Sequence, residues 1–245
     1  MNTRRQKLRR ALLALFFLAL PITLNYYSPY LMLSGTAEGV ATFSLVFWLG
    51  VFGSALILGR SFCGWACPFN GLQQLWESVG TRSLKRVVLL PALKYVFWAL
   101  WVASLGGALA SAGVWTRFDP LYMTEYGVSL TEAGNLITYF MLVALTLVPA
   151  LLGKRGFCRY LCPFGVWGIA GEEVGHALRI PRLMLRAVPG RCNACGRCTR
   201  ACPMQLPVTE MVQAGAMRTT ECFMCETCVD VCPRNAIEVG FGRAE

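Results

Sequence analysis

Four long stretches without charged side chains dominate the first two thirds of the chain. They run from Ala11 to Ala37, Val40 to Gly59, Tyr95 to Thr116 and Ala133 to Gly153. Each is long enough to cross a bilayer, which takes about 20 apolar residues. The pattern therefore predicts four membrane helices, at about residues 11–33, 40–60, 90–113 and 134–153.

A shared motif follows each pair of apolar stretches. It reads RSFCGWACPF at 60–69 and RGFCRYLCPF at 155–164, so the chain is a twofold repeat of helix, helix and cysteine pair. Two spans per repeat predict parallel repeats, related by an axis along the membrane normal. The predicted fold is an all-α four-helix membrane bundle that brings the two cysteine pairs near each other on one side of the membrane.

An amphipathic stretch follows each cysteine pair. Leu72, Leu75 and Trp76 recur at helical spacing after the first pair, and Val166 and Ile169 do so less regularly after the second. Helices of this kind either lie in the membrane interface or pack against the bundle. The sequence leaves both arrangements open.

Positive charge is distributed unevenly among the predicted loops. The N-terminal segment, residues 60–86 and the part after Lys154 are basic, whereas the other two loops contain only Arg117. Loops rich in Lys and Arg stay in the cytoplasm. Both termini are predicted to be cytoplasmic in a multi-pass inner-membrane protein, with loops 34–39 and 117–132 outside. The basic start is expected to lead into a retained helix, because the apolar run is long for a cleavable signal.

Composition agrees with a membrane protein. The 245 residues are 56% hydrophobic and 15% charged, which is more apolar and less charged than a typical soluble domain. The net charge of +10 lies beside the apolar segments, as a positive-inside bias does. The lipid bilayer is therefore an expected partner, and nucleic acid is not.

Eight of the twelve cysteines fall between residues 192 and 232. Two runs, CNACGRCTRACP from Cys192 and CFMCETCVDVCP from Cys222, both read C-x2-C-x2-C-x3-C-P. This is the bacterial ferredoxin run for [4Fe–4S] clusters, in which the fourth cysteine ligates the other cluster. Zinc needs only four ligands and has no use for a doubled, crossed pattern.

The crossed pattern assigns four ligands to each of two [4Fe–4S] clusters. Cluster 1 is predicted to take Cys192, Cys195, Cys198 and Cys232. Cluster 2 is predicted to take Cys222, Cys225, Cys228 and Cys202. The following segment AIEVG predicts a closing strand. The chain thus divides into a membrane domain, 1–186, and a small cytoplasmic α+β domain of the ferredoxin type, 187–245.

The other four cysteines belong to the two Cys-Pro motifs. A residue before proline avoids helical geometry, and proline favours the first position of a helix, so Cys67 and Cys162 are predicted to precede new helices. A helix N-terminus and nearby basic residues favour thiolate, the form that binds metal. A shared four-thiol site is therefore predicted, holding a third iron–sulfur cluster or another metal, from Cys63, Cys67, Cys158 and Cys162. A redox-active dithiol, a zinc or copper site and simple helix-end packing remain open.

The apolar spans, the two C-x3-C-P pairs and the doubled ferredoxin run, in this order, resemble the NapH/MauN-type ferredoxin-like membrane proteins and the membrane part of NosR-type regulators. The resemblance covers nearly the whole chain. It implies a membrane-bound iron–sulfur electron-transfer subunit, a component of a quinol-dependent oxidoreductase system. Such a subunit passes electrons between the quinone pool and partner redox proteins, which include ferredoxin-type or cytochrome subunits and a terminal reductase.

One residue, Asp119, is a candidate for proton chemistry. Quinol oxidation needs a proton acceptor beside an aromatic, apolar slot, and Asp119 lies among Trp115, Phe118 and Tyr122. The alternative is an aromatic belt with a solvated carboxylate. The single histidine, His176, is expected to be solvated or to cap a helix rather than to act as a ligand.

Two functions of other classes remain open beside electron transfer. One is a maturation factor that reduces or delivers metal for a partner metalloenzyme. The other is a structural anchor whose clusters hold a partner in place. Reduction of the clusters by a quinol would favour electron transfer over both.

Overall fold

The computed structural model describes residues 3–79, 92–131, 133–149 and 153–243. Helices dominate the first repeat: α1 (Arg4–Leu18), α2 (Leu20–Tyr27), α3 (Pro29–Ala37), α4 (Phe43–Leu58), α5 (Ser61–Trp65) and α6 (Pro68–Val79). The second repeat contains α7 (Leu93–Ala112), α8 (Ala133–Leu147), a π-helical turn (Phe157–Leu161) and α9 (Pro163–Ala177). Short strands β1 (Val40–Thr42) and β2 (Arg117–Asp119) lie between them.

The first predicted span is broken where the sequence carries proline. Helices α1 and α2 meet at an angle of 81° around Ala19. Pro21 and Pro29 lack the N–H that a continuous helix would use. Helix α3 begins as a separate element because the Ser28 side chain accepts the N–H of Leu31. The uncharged run is therefore three short helices and not one straight helix.

Among the described residues, one helix, α7, is long and apolar enough to cross a membrane, and the bent pair α1–α2 makes a second if it counts as one span. Helices α4 and α8 are apolar but have 16 and 15 residues. Each predicted span thus contains at least one helix. Helices α4 and α8, in the second and fourth predicted spans, are shorter than predicted. Helix α4 ends at Gly59, whose positive φ of 58° breaks the helical geometry.

The helix that follows each cysteine pair packs against both repeats. Helix α6 packs against α1 of its own repeat and α8 of the other, and α9 packs against α7 and α4 in the same way. Helix α9 runs alongside α4 in the same direction, from Phe164 stacked on Trp48 to Gly175 against Leu56. These contacts favour packing against the bundle over an interfacial position.

A short parallel sheet joins the first residues of the second predicted span to the predicted outside loop 117–132. Val40 pairs with Arg117, and the N–H of Thr116 donates to the carbonyl of Gly39 over 2.8 Å. The C-terminal end of helix α7 lies next to this sheet in the sequence, shortly before β2. The 20 residues of α7 span about 30 Å, so the sheet and the start of α7 lie at opposite ends of the molecule.

Residues 182–243 form the tail, a small domain built around one sheet. Strand β3 (Arg182–Ala187) pairs antiparallel with β4 (Ile237–Gly242). Strand β4 is the closing strand predicted from AIEVG, and its partner begins within the stretch that the sequence assigned to the membrane domain. The helices of the tail are α10 (Arg197–Ala201), α11 (Val208–Gln213) and α12 (Thr227–Asp230).

Candidate metal centres

One cavity of the tail is lined by four cysteines that come from both runs. They are Cys192, Cys195, Cys198 and Cys232. The backbone N–H of Ala236 donates to the Cys232 sulfur over 3.2 Å, and such a hydrogen bond favours the thiolate form of a ligand. The structure therefore brings together the four residues that the crossed pattern assigns to cluster 1.

A second cavity contains the other set of cysteines. It is lined by Cys202, Cys222, Cys225 and Cys228. Three of these are buried and Cys222 is half-buried. Apolar side chains such as Leu206 and Met217 complete the wall. This donor set, four sulfurs around an apolar cavity, fits a [4Fe–4S] cluster.

The backbone bends around each cavity at matching positions. Ala194 and Gly196 in the first run, and Met224 and Glu226 in the second, have φ values of 56°, 71°, 52° and 58°. This left-handed conformation costs roughly 1–2 kcal/mol for a residue other than glycine. It turns the chain so that the first three cysteines of each run line one cavity, as a cubane cluster requires.

Burial changes the acidity of the thiols in the cluster 2 cavity. It raises the pKa of Cys222 to about 12, with a further contribution from Cys225, and it also raises the pKa of Cys202 and Cys228. A cysteine that binds metal does so as thiolate. Loading of this cavity therefore releases protons and becomes more favourable as pH rises.

The four cysteines of the Cys-Pro motifs also lie together. Burial raises the pKa of Cys67, and the nearby thiols of Cys63, Cys158 and Cys162 raise it further. They meet where helices α6 and α9 begin. Within the described ranges, here and in the tail, no three His, Cys, Asp or Glu side chains converge on one metal-ion position.

Polar side chains of α6, which the sequence analysis did not single out, hold the second motif in place. Arg155 donates to the carbonyl of Asn70 and to the side chain of Gln74, both over 2.6 Å. Gln73 donates to the sulfur of Cys158 over 2.9 Å. Asn70, Gln73 and Arg155 are each 1% exposed. Buried polar groups need partners, so the polar residues of the amphipathic stretch after the first cysteine pair were the available signal.

The cluster 2 loop of the tail touches the first Cys-Pro motif directly. A Cβ atom on Gly64 would lie 2.3 Å from the carbonyl oxygen of Phe223, so this backbone approach requires glycine. The indole N–H of Trp65 donates to the carbonyl of Met224 over 3.0 Å. Cys63 packs against the core of the tail. The four-thiol site and the cluster 2 loop are therefore neighbours.

Buried cations reinforce this contact. Arg60 donates to the carbonyl of Thr220 over 2.6 Å, and Lys94 pairs with Glu221 over 2.6 Å. Arg159 donates to the side chain of Gln205, also over 2.6 Å. Helix α1 contributes as well, through ion pairs of Arg5 with Glu226 and Asp230. Both repeats and the N-terminal helix thus hold the tail.

Burial works against the thiolate character predicted for the second motif. Cys162 precedes Pro163, the first residue of α9, and has the expected extended backbone. Burial nevertheless raises its pKa to about 12, and Cys158 and Cys63 add to this effect. Desolvation thus opposes the effect of the helix N-terminus at this sulfur. The predicted thiolate stays a prediction, and a bound metal would offset the cost of burying it.

Asp119, the candidate proton acceptor, and the single histidine lie elsewhere. The carboxylate of Asp119 is 3.8 Å from Arg117, and Trp115 and Phe118 beside it are exposed. This region is at the sheet end of α7, about 30 Å from the start of that helix. His176 lines a wide cavity between α9 and the tail.

Two family models match the chain over the cysteine-containing segments. A model described as a 4Fe-4S binding domain matches residues 40–86 and 135–167, and one described as a 4Fe-4S dicluster domain matches residues 191–237. Each stretch of the first match contains one Cys-Pro motif. The second match contains both ferredoxin runs.

Similar proteins include several ferredoxin-type proteins. The putative electron transport protein YccM of Escherichia coli K12 is 26% identical over 224 residues, 87% of this chain and 60% of the relative. The ferredoxin-type protein NapH of the same strain is 26% identical over 76% of this chain and 63% of the relative. The methylamine utilization ferredoxin-type protein MauN of Methylobacillus flagellatus is 30% identical over 75% and 62%.

The chain spans about three fifths of the length of these relatives. No solved structure matches it. The two tail cavities are lined by the cysteines that a two-cluster ferredoxin uses, and the matching family model is a 4Fe-4S dicluster domain. The protein is therefore an iron–sulfur electron-transfer protein of the ferredoxin type. Within that class, the chain belongs to the NapH/MauN-type family.

Proposed function

We propose that the protein is a membrane-bound electron-transfer subunit that passes electrons between the quinol pool and a partner redox protein. The observation that carries this proposal is the contact between Gly64 of the first Cys-Pro motif and Phe223 of the cluster 2 loop. This contact makes the four-thiol site a neighbour of the cluster 2 loop, and the crossed ligands Cys202 and Cys232 link the cluster 2 cavity to the cluster 1 cavity, so an electron could pass from one site to the next.

The ligands of the tail clusters follow from the two cavities. Cluster 1 is held by Cys192, Cys195, Cys198 and Cys232, and cluster 2 by Cys202, Cys222, Cys225 and Cys228. When bound, each cluster supplies a one-electron redox centre. The crossed fourth ligands, Cys202 and Cys232, tie the two cavities into one rigid unit, which keeps the distance between the centres constant.

The four-thiol site is proposed to hold a third iron–sulfur cluster or another metal. Its four cysteines are gathered by helices of both repeats, and the family model that covers the two motifs is described as a 4Fe-4S binding domain. Burial keeps water away and disfavours free thiolate there. A bound metal removes that cost by neutralising the sulfur charge.

The proposed position in the membrane uses all four apolar segments. The basic loops lie on the cytoplasmic side, and the four-thiol site faces the cytoplasmic tail at the inner surface. The sheet β1–β2 then lies outside, at the far end of α7. A quinol site with Asp119 as proton acceptor would be at that outer end, across the bundle from the tail.

The double variant Cys63→Ser/Cys158→Ser tests the third site. It should lose the metal of the four-thiol site, about four iron atoms if this is a cubane, and keep the EPR signals of both tail clusters. The matched control Cys192→Ser/Cys198→Ser should lose cluster 1 instead. Unchanged iron and zinc in the first variant would refute the shared site.

Quinol reduction tests the proposed donor. Anaerobic addition of a quinol analogue to the protein in its intact complex should reduce the clusters. Clusters that are present but never reduced by quinol would favour the maturation role. If Asp119→Asn leaves quinol-dependent reduction unchanged, Asp119 is not the proton acceptor.

A further inference from the structure

The two cluster cavities of the tail differ in how far their cysteines are exposed. The cluster 2 loop is covered on one side by α1, by the first Cys-Pro motif and by the start of α7, through contacts such as Gly64 with Phe223 and Lys94 with Glu221. All twelve cysteines are described, and Cys195 of the cluster 1 set is the only exposed one. The most direct access from solution to a cluster ligand is therefore at cluster 1.

Cluster 1 is bordered by three exposed arginines, called here the arginine face: Arg197, Arg200 and Arg234. Arg197 and Arg234 line the same cavity as the cluster 1 cysteines. Arg197 and Arg200 line an adjoining surface hollow, and Arg200 donates to the carbonyl of Cys195 over 3.0 Å. Positive charge thus lies directly at the exposed cysteine.

Most acidic residues of the described tail are paired with basic residues outside the arginine face. Four of them form ion pairs with other basic residues: Glu221 with Lys94, Glu226 and Asp230 with Arg5, and Glu238 with Arg191. Glu210, next to the cavity-lining Thr209, has no ion pair with a described residue. The arginines of the arginine face have none either, so the positive charge of this face is not neutralised from within the described tail.

We propose that the arginine face is the docking surface for an acidic electron carrier, a protein with carboxylates around its own redox group. This inference rests on the proposed function. One electron leaves reduced cluster 1 and the oxidised group of the carrier gains it, with no bond made or broken and no proton moved. Opposite charge on the two surfaces raises the rate of encounter and orients the carrier over Cys195.

Two small oxidants of opposite charge test the face without the natural carrier. The full-length protein in neutral-lipid nanodiscs is reduced anaerobically and mixed in a stopped-flow instrument with either ferric EDTA, an anion, or hexaammineruthenium(III), a cation. At low ionic strength the wild-type rate with ferric EDTA should fall as salt is added, and the rate with the cation should rise. At about 1 M salt, where the Debye length is about 3 Å, both dependences should level off.

The variant Arg197→Gln/Arg200→Gln/Arg234→Gln should lower the ferric EDTA rate about tenfold at low ionic strength and raise the rate with the cation. The control is Arg179→Gln. Arg179 is an exposed arginine that precedes β3 in the sequence, and its substitution should change neither rate. Glu210→Gln removes a negative charge near cluster 1, so it should raise the ferric EDTA rate and lower the rate with the cation. Arg234→Gln alone should give a smaller change of the same sign if the triple variant does not fold.

The outcomes separate this inference from the proposed function. Reduced wild-type protein without a cluster 1 EPR signal would overturn both. Clusters that are present, with rates that do not depend on oxidant charge or salt, would overturn the docking surface alone. Anionic nanodiscs that suppress the ferric EDTA rate only when the arginines are present would show that lipid headgroups occupy the face, which would also overturn the proposal.

Discussion

Gly64 shows how the absence of one side chain allows two candidate redox sites to meet. Its backbone lies so close to the Phe223 carbonyl that a Cβ atom would be 2.3 Å from the oxygen. Gly64→Ala should therefore separate the cluster 2 loop from α5. Alanine is favoured over glycine in helices by up to about 1 kcal/mol, but overpacking costs about 1–3 kcal/mol, so the net effect should be destabilising.

Thermal unfolding and limited proteolysis of the tail check this prediction. The control is Gly53→Ala in α4, where an added Cβ meets nothing within 4 Å. It should be neutral or slightly stabilising. Equal stability of the two variants would contradict the close approach described here.

The ion pair of Lys94 with Glu221 is a second residue-scale feature that holds the tail. Lys94 is fully buried and the Glu221 side chain is 12% exposed. Lys94→Met leaves a buried, unpaired carboxylate and should cost about 3–5 kcal/mol of unfolding free energy. The double variant Lys94→Met/Glu221→Gln should lose less, because no charge is then left unpaired.

Denaturant unfolding of the purified protein measures this difference. Arg218→Gln is the control, since Arg218 and Glu173 form an ion pair with side chains 45% and 43% exposed. An exposed pair contributes about 0–1 kcal/mol. A similar loss in the Lys94→Met and Arg218→Gln variants would show that Lys94 is not buried in the folded protein.

At the scale of elements, the seam between α9 and α4 determines where the second cysteine pair lies. Added Cβ atoms at Gly171 and Gly175 would each lie 2.7 Å from a carbonyl oxygen of α4. Gly171→Ala/Gly175→Ala should therefore displace α9. Metal analysis should show loss of the metal bound at the four-thiol site, with the iron of both tail clusters retained.

The matched control for the seam is Gly106→Ala/Gly107→Ala in α7, where added Cβ atoms meet nothing within 4 Å. This variant should keep its full metal content. If the seam variant also keeps its metal, the position of α9 along α4 does not determine the four-thiol site.

The elements that sequence reasoning predicted well are those with strong local patterns. The doubled cysteine runs predicted two ligand sets, and the structure lines one cavity with each. The break near Ala19 depends on Pro21, which hydropathy alone does not register. The packing of α6 on α1 and of α9 on α4 depends on close contacts of Gly71 and Gly171, and these involve partners distant in the sequence.

The chemistry of the thiols was harder to predict, for a physical reason. A helix N-terminus can be recognised from a Cys-Pro sequence, but desolvation depends on everything packed around the sulfur. For Cys162 burial opposes the effect of the helix end and raises the pKa. Asn70, Gln73 and the half-buried Gln74 are polar partners of the second motif, and these pairings become visible only in the packed structure of α6 against residues 155–161.

At the scale of the whole molecule, the two ends of α7 predict a topology. The tail contacts the start of α7 through Lys94, and the sheet β1–β2 lies beyond its end. Reporter fusions after Arg243 and at Glu125 should be active in the cytoplasm and outside it, respectively. An alkaline phosphatase fusion that is active after Arg243 would contradict the charge-based orientation.

The packing of α6 and α9 on both repeats has a consequence for how such a chain can arise. Each cysteine helix is only partly buried by its own half, since α6 also packs on α8 and α9 also packs on α4. A gene for one half would encode a protein whose cysteine helix lacks one of its packing partners, and two copies of that product could supply it to each other about a twofold axis. Duplication and fusion of such a gene would place both halves in one chain and keep this mutual packing.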